Sequence, residues 1–157
     1  MKNDYLNIYN NLIKLTRNKK LYLNLMNNDT FSDRLIILLF HFAFFLKIYK
    51  HQISKNDAQD LFDFFIKQIE LSIREIGYGD VSVNKKMKDY VNLFYTIIEK
   101  VEKWDRLDKT KKIALFKGFM NIKQDNDLFA NYFDKYRDYL VNNTLKIFTN
   151  DILNLKF

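Results

Sequence analysis

The chain has 157 residues and contains neither cysteine nor proline. That length suits one domain with a proper core. Lack of cysteine rules out a disulfide, a thiolate metal site and a cysteine nucleophile. The formal charge of +7 is concentrated in residues 83–123, where eleven Lys and Arg stand against five acids. Such a field favours an anionic partner: RNA, a ribosome surface, an acidic protein or lipid headgroups. A solvated basic surface that keeps an aromatic-rich chain soluble accounts for the same charge equally well.

In chain order, the opening MKNDYLNIYNNL has scattered acid and asparagine and no continuous apolar run, unlike a secretory signal or an organelle transit peptide. Tyr5, Ile8, Tyr9, Leu12 and Ile13 share one face of a first helix over 5–15, followed by the basic run Arg17-Asn18-Lys19-Lys20. A short helix is expected over 21–26, fraying at Asn27-Asn28. Asp29 or Thr30 then caps a longer helix, with Asp33 early in its first turn, where negative charge suits the helix dipole. Residues 35–46 are apolar except for His41. A dozen such residues are too few for a membrane span, which needs about twenty, and a helix apolar all round is a core helix. His41 reads as a hydrogen-bonded core histidine rather than a haem or metal ligand. No second ligand stands at metal spacing, and His51 is nearly three turns away.

Ser54-Lys55-Asn56-Asp57 restarts the helix, and Ala58, Phe62, Phe65, Ile66, Ile69, Ile73 and Ile76 share its face, with Phe64 and Leu71 in a strip behind. Asp63 with Lys67, and Glu70 with Arg74, are spaced as helical ion pairs. Gly77-Tyr78-Gly79-Asp80 then breaks the pattern. Gly77 suits the left-handed position past a helix end, and Asp80 or Ser82 can cap a new helix beyond the turn. Arg74 or Lys86 can brace Asp80 across the turn. This new helix buries Val83, Met87, Tyr90, Val91, Phe94, Ile97, Ile98 and Val101, which leaves Lys85, Lys86 and Lys88 on its solvated half and Trp104 at the stripe's edge. Further helices are expected over 108–123 and 128–140, with Gln124-Asp125-Asn126-Asp127 as the turn between them. Asn142-Asn143 then precedes a last apolar segment ending at Phe157.

The fold expected is all-α, a single compact bundle of about seven helices over 1–157, organised on residues 31–49, 57–76 and 84–104. Nucleophile elbow, phosphate-cradling glycine loop and zinc-protease motif are all missing, and Glu75 with Asp80 makes a poor catalytic pair beside so many cations. The reading is therefore of a protein that is not an enzyme, with no cofactor or metal. Sequence-specific RNA binding fits badly, because the aromatics of 87–101 fall on the buried stripe and arginine is scarce.

The run Arg74-Glu75-Ile76-Gly77-Tyr78-Gly79-Asp80-Val81-Ser82-Val83, then Lys85-Lys86-Met87-Lys88 and Phe94-Tyr95, resembles the signature of the ubiquinol–cytochrome c chaperone family. Asp29-Thr30-Phe31, Arg34 and His41 match a second, weaker pattern of that family. The resemblance spans roughly residues 5–150 and departs at Asn84 and Thr96, where relatives often carry proline and glycine. It implies a non-enzymatic assembly factor for the cytochrome bc1 complex, expected to hold an apolar segment of newly made cytochrome b in a groove beside the glycine-hinged corner of residues 69–95. Mitochondrial relatives act with a small partner protein near the ribosomal exit and receive newly made cytochrome b. This chain looks bacterial, which implies a cytoplasmic protein, peripheral to the inner membrane, equivalent to the matrix of mitochondrial relatives. The client implied is nascent cytochrome b or another bc1 component, with Arg74 (if unpaired), Lys85, Lys86, Lys88 and Tyr95 facing partners such as ribosome or headgroups. Glu70, Glu75, Gly77, Gly79, Asp80 and Ser82 are read as architecture of the corner. Oligomeric state is left open.

Overall fold

A helix buried on every side is the axis of the molecule. In the computed structural model, which describes residues 1–25, 30–123 and 126–150, residues 35–45 of α2 (Phe31–Tyr49) are all buried. Around it lie α1 (Tyr5–Thr16), α3 (Lys55–Glu75), α4 (Asp80–Glu102), α5 (Lys109–Lys117), α6 (Leu128–Asn142) and α7 (Leu145–Asn150). The fold is all-α, with seven α-helices and no strand among the described residues beyond one antiparallel bridge between Leu25 and Ile122. No described helix is long and apolar enough to cross a membrane.

Aromatic rings fill the space between α2 and its neighbours. Phe42 stacks on Phe65 at 3.9 Å and on Phe94 at 5.4 Å, joining α2 to α3 and α4. On the opposite side Phe44 stacks on Phe133 of α6, and Phe40 meets Phe116 of α5. Offset and tilted ring pairs of this kind add about 1 kcal/mol each beyond the area they bury. Polar anchors fix the helix ends. Asn11 donates to the Phe148 and Thr149 carbonyls in the last turn of α7. Lys47, almost buried, donates to the Val101 and Glu102 carbonyls at the end of α4 and pairs with Asp105 at 3.2 Å. Burial by itself would raise the Asp105 carboxyl, but Lys47 and Arg137 together hold it below the ordinary range.

Several local expectations are corrected. Residues 19–22 form a 3-10 turn, and Leu25 then pairs with Ile122, so the short helix over 21–26 does not form as such; Met26 to Asp29 lie outside the described residues. Of the two caps expected for α2, Thr30 is the one that serves, accepting from the Asp33 amide at 3.1 Å while its hydroxyl donates to the Asp33 carboxylate. The helix expected over 108–123 stops at Lys117, since Gly118 ends it and the Lys123 amide turns away to the Asn24 carbonyl. Gln124 and Asp125 of the next turn, and residues 151–157, are likewise outside the described residues. Trp104 is not at an edge: it is fully buried in a 3-10 turn, with its Nε1 donating to Asp134.

Tyr5 of α1 reaches Asp57 at the start of α3, and Tyr9 packs on Phe65 one turn further along. Helices α1 and α3 therefore run in the same direction, with α2 opposed. The end of α1, the start of α2, the end of α3 and the start of α4 consequently meet at one end of the bundle.

Candidate functional site

The corner between α3 and α4 is built by one glycine and one arginine. Gly77 has φ +104°, a conformation costly for any residue with a Cβ, and this lets the chain reverse within three residues. Gly79 has an ordinary φ of −71° and is the N-cap of α4. Helix α4 therefore begins at Asp80, four residues earlier than the expected 84. The expectation that Asp80 or Ser82 caps it is corrected. Asp80 is the first helical residue, and its carboxylate accepts from Arg74; Ser82 lies exposed in the first turn with no cap bond.

Arg74 also donates to Glu70 at 3.1 Å, so one guanidinium ties the last turn of α3 to the first of α4. Its hydrogen bond to Asp80, then that to Glu70, raises its pKa, while the Arg74 hydrogen bond holds the Glu70 carboxyl down. Arg74 is thus not the free cation that a partner contact from it required. Lys67 pairs with Glu70 at 3.4 Å instead of with Asp63, whose carboxylate accepts from Gln59. Glu75 is exposed at the end of α3.

The three lysines behave differently from Arg74. Lys86 does not brace Asp80; its ammonium sits over the Tyr78 ring, 4.5 Å from the centroid. Lys85 and Lys88 are exposed and have no ion-pair partner among the described residues. Val81, Lys85, Lys88 and Tyr95 recur at helical spacing and form one solvent-facing stripe of α4. Tyr95 is half exposed, its other face stacked on Phe62.

Two concavities flank α3 at this end. One, about 180 Å³, lies between α1, α2 and α3; Tyr9, Ile13, Phe31, Leu35, Leu38 and Ile69 give it apolar walls. Thr16, Ser72 and the exposed Arg17 and Arg34 supply its polar rim. The other is a shallower groove of about 350 Å³ between α3 and α4, where Ile66, Met87 and Val91 are mixed with Glu70, Asn84 and Lys88.

His41 is remote from the corner's surface and fully buried. Its Nδ1 lies 2.9 Å from the Ile37 carbonyl and so carries the proton, and Nε2 accepts from the Tyr132 hydroxyl at 2.6 Å. Both ring nitrogens are engaged within the protein, which leaves neither lone pair for a haem or metal. No group of three or more metal-ligating side chains occurs among the described residues. Asp29 lies outside them, while Arg34 reaches the rim of the apolar cavity.

Sequence reasoning left the lining of the cavity open, misplaced two apolar residues of α3 and omitted a third. Ile76, assigned to the buried face of α3, is half exposed, and Leu61, which that face omitted, is fully buried. Leu71 is exposed as well rather than forming an inner strip with Phe64. Val81, flanked by Asp80 and Ser82 at the second position of a helix, carried the one signal that was available: an apolar residue where nothing can cover it.

The class is that of an all-α helical bundle with a braced corner, the unpaired Lys85 and Lys88 outside it, and one apolar and one mixed concavity beside it. The sequence profile described as "Ubiquinol-cytochrome C chaperone" matches residues 24–111, taking in α2, α3, the glycine corner and α4. With more than half of its length matched, the chain belongs to the ubiquinol–cytochrome c chaperone family, and its role is that of a chaperone in bc1 complex assembly, acting on a bc1 component. Membership of a chaperone family implies a non-enzymatic role. No curated protein and no solved structure matches the chain.

Proposed function

We propose that the protein holds newly made cytochrome b during bc1 assembly, receiving an apolar segment in the cavity between α1, α2 and α3. The family match carries this reading, because it spans the α2 and α3 walls of that cavity together with the corner beside it. Cytochrome b is an apolar client that needs cover before it is assembled. A preformed apolar hollow offers that cover without a large ordering cost. On this reading the protein works on the face of the membrane where cytochrome b is made, the cytoplasmic face in a bacterium.

Co-purification tests it. Tagged protein drawn from detergent-solubilised cells should bring cytochrome b with it. Ser72→Phe, which places a ring in the hollow from a half-buried position, should abolish that recovery while the melting temperature stays within a few degrees. Recovery of cytochrome b undiminished by Ser72→Phe would remove the cavity from the mechanism.

A further inference from the structure

We propose that the α3–α4 corner is a membrane-contact tip that seats on an anionic bilayer. The inference goes beyond client holding and does not depend on it. Three apolar side chains stand in solvent within six residues of one another: Ile76 at 51% exposure, Tyr78 at 43% and Val81 at 85%. Core packing explains none of them, and a turn has no need of them. The same corner carries Lys85 and Lys88, exposed and without ion-pair partners among the described residues, and Lys86, drawn over Tyr78. Arg17, Lys19 and Lys20 lie exposed beyond α1, whose last turn ends at this end of the bundle.

Acids are present and partly offset. Lys67 and Arg74 pair with Glu70 and Asp80, which leaves the exposed Glu75 and Asp89 against Lys85, Lys86 and Lys88. With Arg17, Lys19 and Lys20 added from beyond α1, this end of the bundle is cationic around an apolar point.

Charge complementarity alone would suit a ribosome as well as a lipid surface. The aliphatic point separates them. An exposed isoleucine and valine gain nothing from a phosphate backbone, but they gain the transfer free energy of apolar surface when pushed below headgroups. Tyrosine favours the headgroup level, where its ring is covered and its hydroxyl stays wet. Lysines spaced along Val81–Lys85–Lys88 would then lie against anionic headgroups while the long stems cover neighbouring apolar surface. The Arg74 brace and the Gly77 reversal hold this point in one shape, so little order has to be imposed when it docks.

Vesicle flotation with the purified full chain tests the tip without any client, so its failure leaves the cytochrome b reading standing. The chain should float with phosphatidylcholine vesicles that contain phosphatidylglycerol and stay behind with pure phosphatidylcholine. Val81→Asp should weaken binding about tenfold, Val81→Leu should preserve it, and Lys85→Gln with Lys88→Gln should weaken it about tenfold. Far-ultraviolet circular dichroism and emission from the buried Trp104 verify that each variant is folded. Absence of flotation overturns the proposal. So does flotation indifferent to Val81→Asp, which would mean charge without insertion. Pelleting with purified ribosomes that depends on the lysines, in a chain that ignores vesicles, overturns it in favour of the ribosome.

Discussion

A neutral histidine locked among aromatic rings gives the protein a specific sensitivity to acid. Burial lowers the His41 pKa from its usual 6.5 to about 3, against the small upward pull of its bond to the Ile37 carbonyl. The unfolded chain takes up this proton as pH falls through about 6.5, whereas the folded chain refuses it until about pH 3. Stability is therefore complete above the unfolded value and falls with acid, by about 1.4 kcal/mol per pH unit once below it. Between pH 6 and about 4.5 most carboxylates have yet to protonate, so the slope in that window belongs largely to His41. Denaturant melts of the wild type and of His41→Gln across that range should show the slope in the first and its loss in the second. The substitution also alters the acceptor that the Tyr132 hydroxyl meets, so the slope and not the absolute stability is the readout; equal slopes in the two proteins would refute the assignment. A histidine alone in an apolar run could be read from sequence as core. Its distant partner could not, because Tyr132 lies on α6, ninety-one residues away.

At the scale of elements, the corner depends on one backbone conformation. Nothing lies within 4 Å of a Cβ added at either Gly77 or Gly79, so only φ distinguishes them. Gly77→Ala should cost about 1 kcal/mol from the left-handed conformation alone, lowering the melting temperature by about 3 °C. Gly79→Ser should be neutral or slightly stabilising, because that residue is an N-cap without a side-chain acceptor. Equal melting temperatures for the two variants would mean that the reversal is not needed. Helices α1 to α4 and α6 could be read because their apolar residues repeat at helical period between cap-forming clusters. The ends were harder. Helix α4 starts at Asp80 because its cap is a glycine backbone, not the expected side chain, and α5 stops at Gly118 because the chain is drawn to pair with residues 24 and 25. Long-range pairing of that kind leaves no local pattern. The corner's glycines, aspartate and lysines could be picked out from their clustering, but which cations stay free depended on Arg74 taking both Glu70 and Asp80.

For the molecule as a whole, the hollow and the tip sit at the same end of the bundle but face different chemistry. The hollow is apolar, rimmed by Arg17 and Arg34; the tip is an aliphatic point ringed by lysines. If one receives the client and the other holds the membrane, a client leaving the bilayer reaches its cover within one molecular diameter, with the braced corner as the fixed element between them. Their separate roles predict separable defects. Ser72→Phe should still float with anionic vesicles yet recover no cytochrome b, whereas simultaneous Lys85→Glu, Lys86→Glu and Lys88→Glu should fail to float yet recover cytochrome b from detergent extract. All three lysines are on the solvated half of α4, so the purified triple variant should remain folded. Either change should lower bc1 accumulation in cells, measured by haem b absorbance in membranes, because assembly needs client and membrane together. Normal bc1 levels in the triple variant would show that the basic corner has no part in assembly. Loss of both readouts from either variant would mean that hollow and tip form one continuous surface.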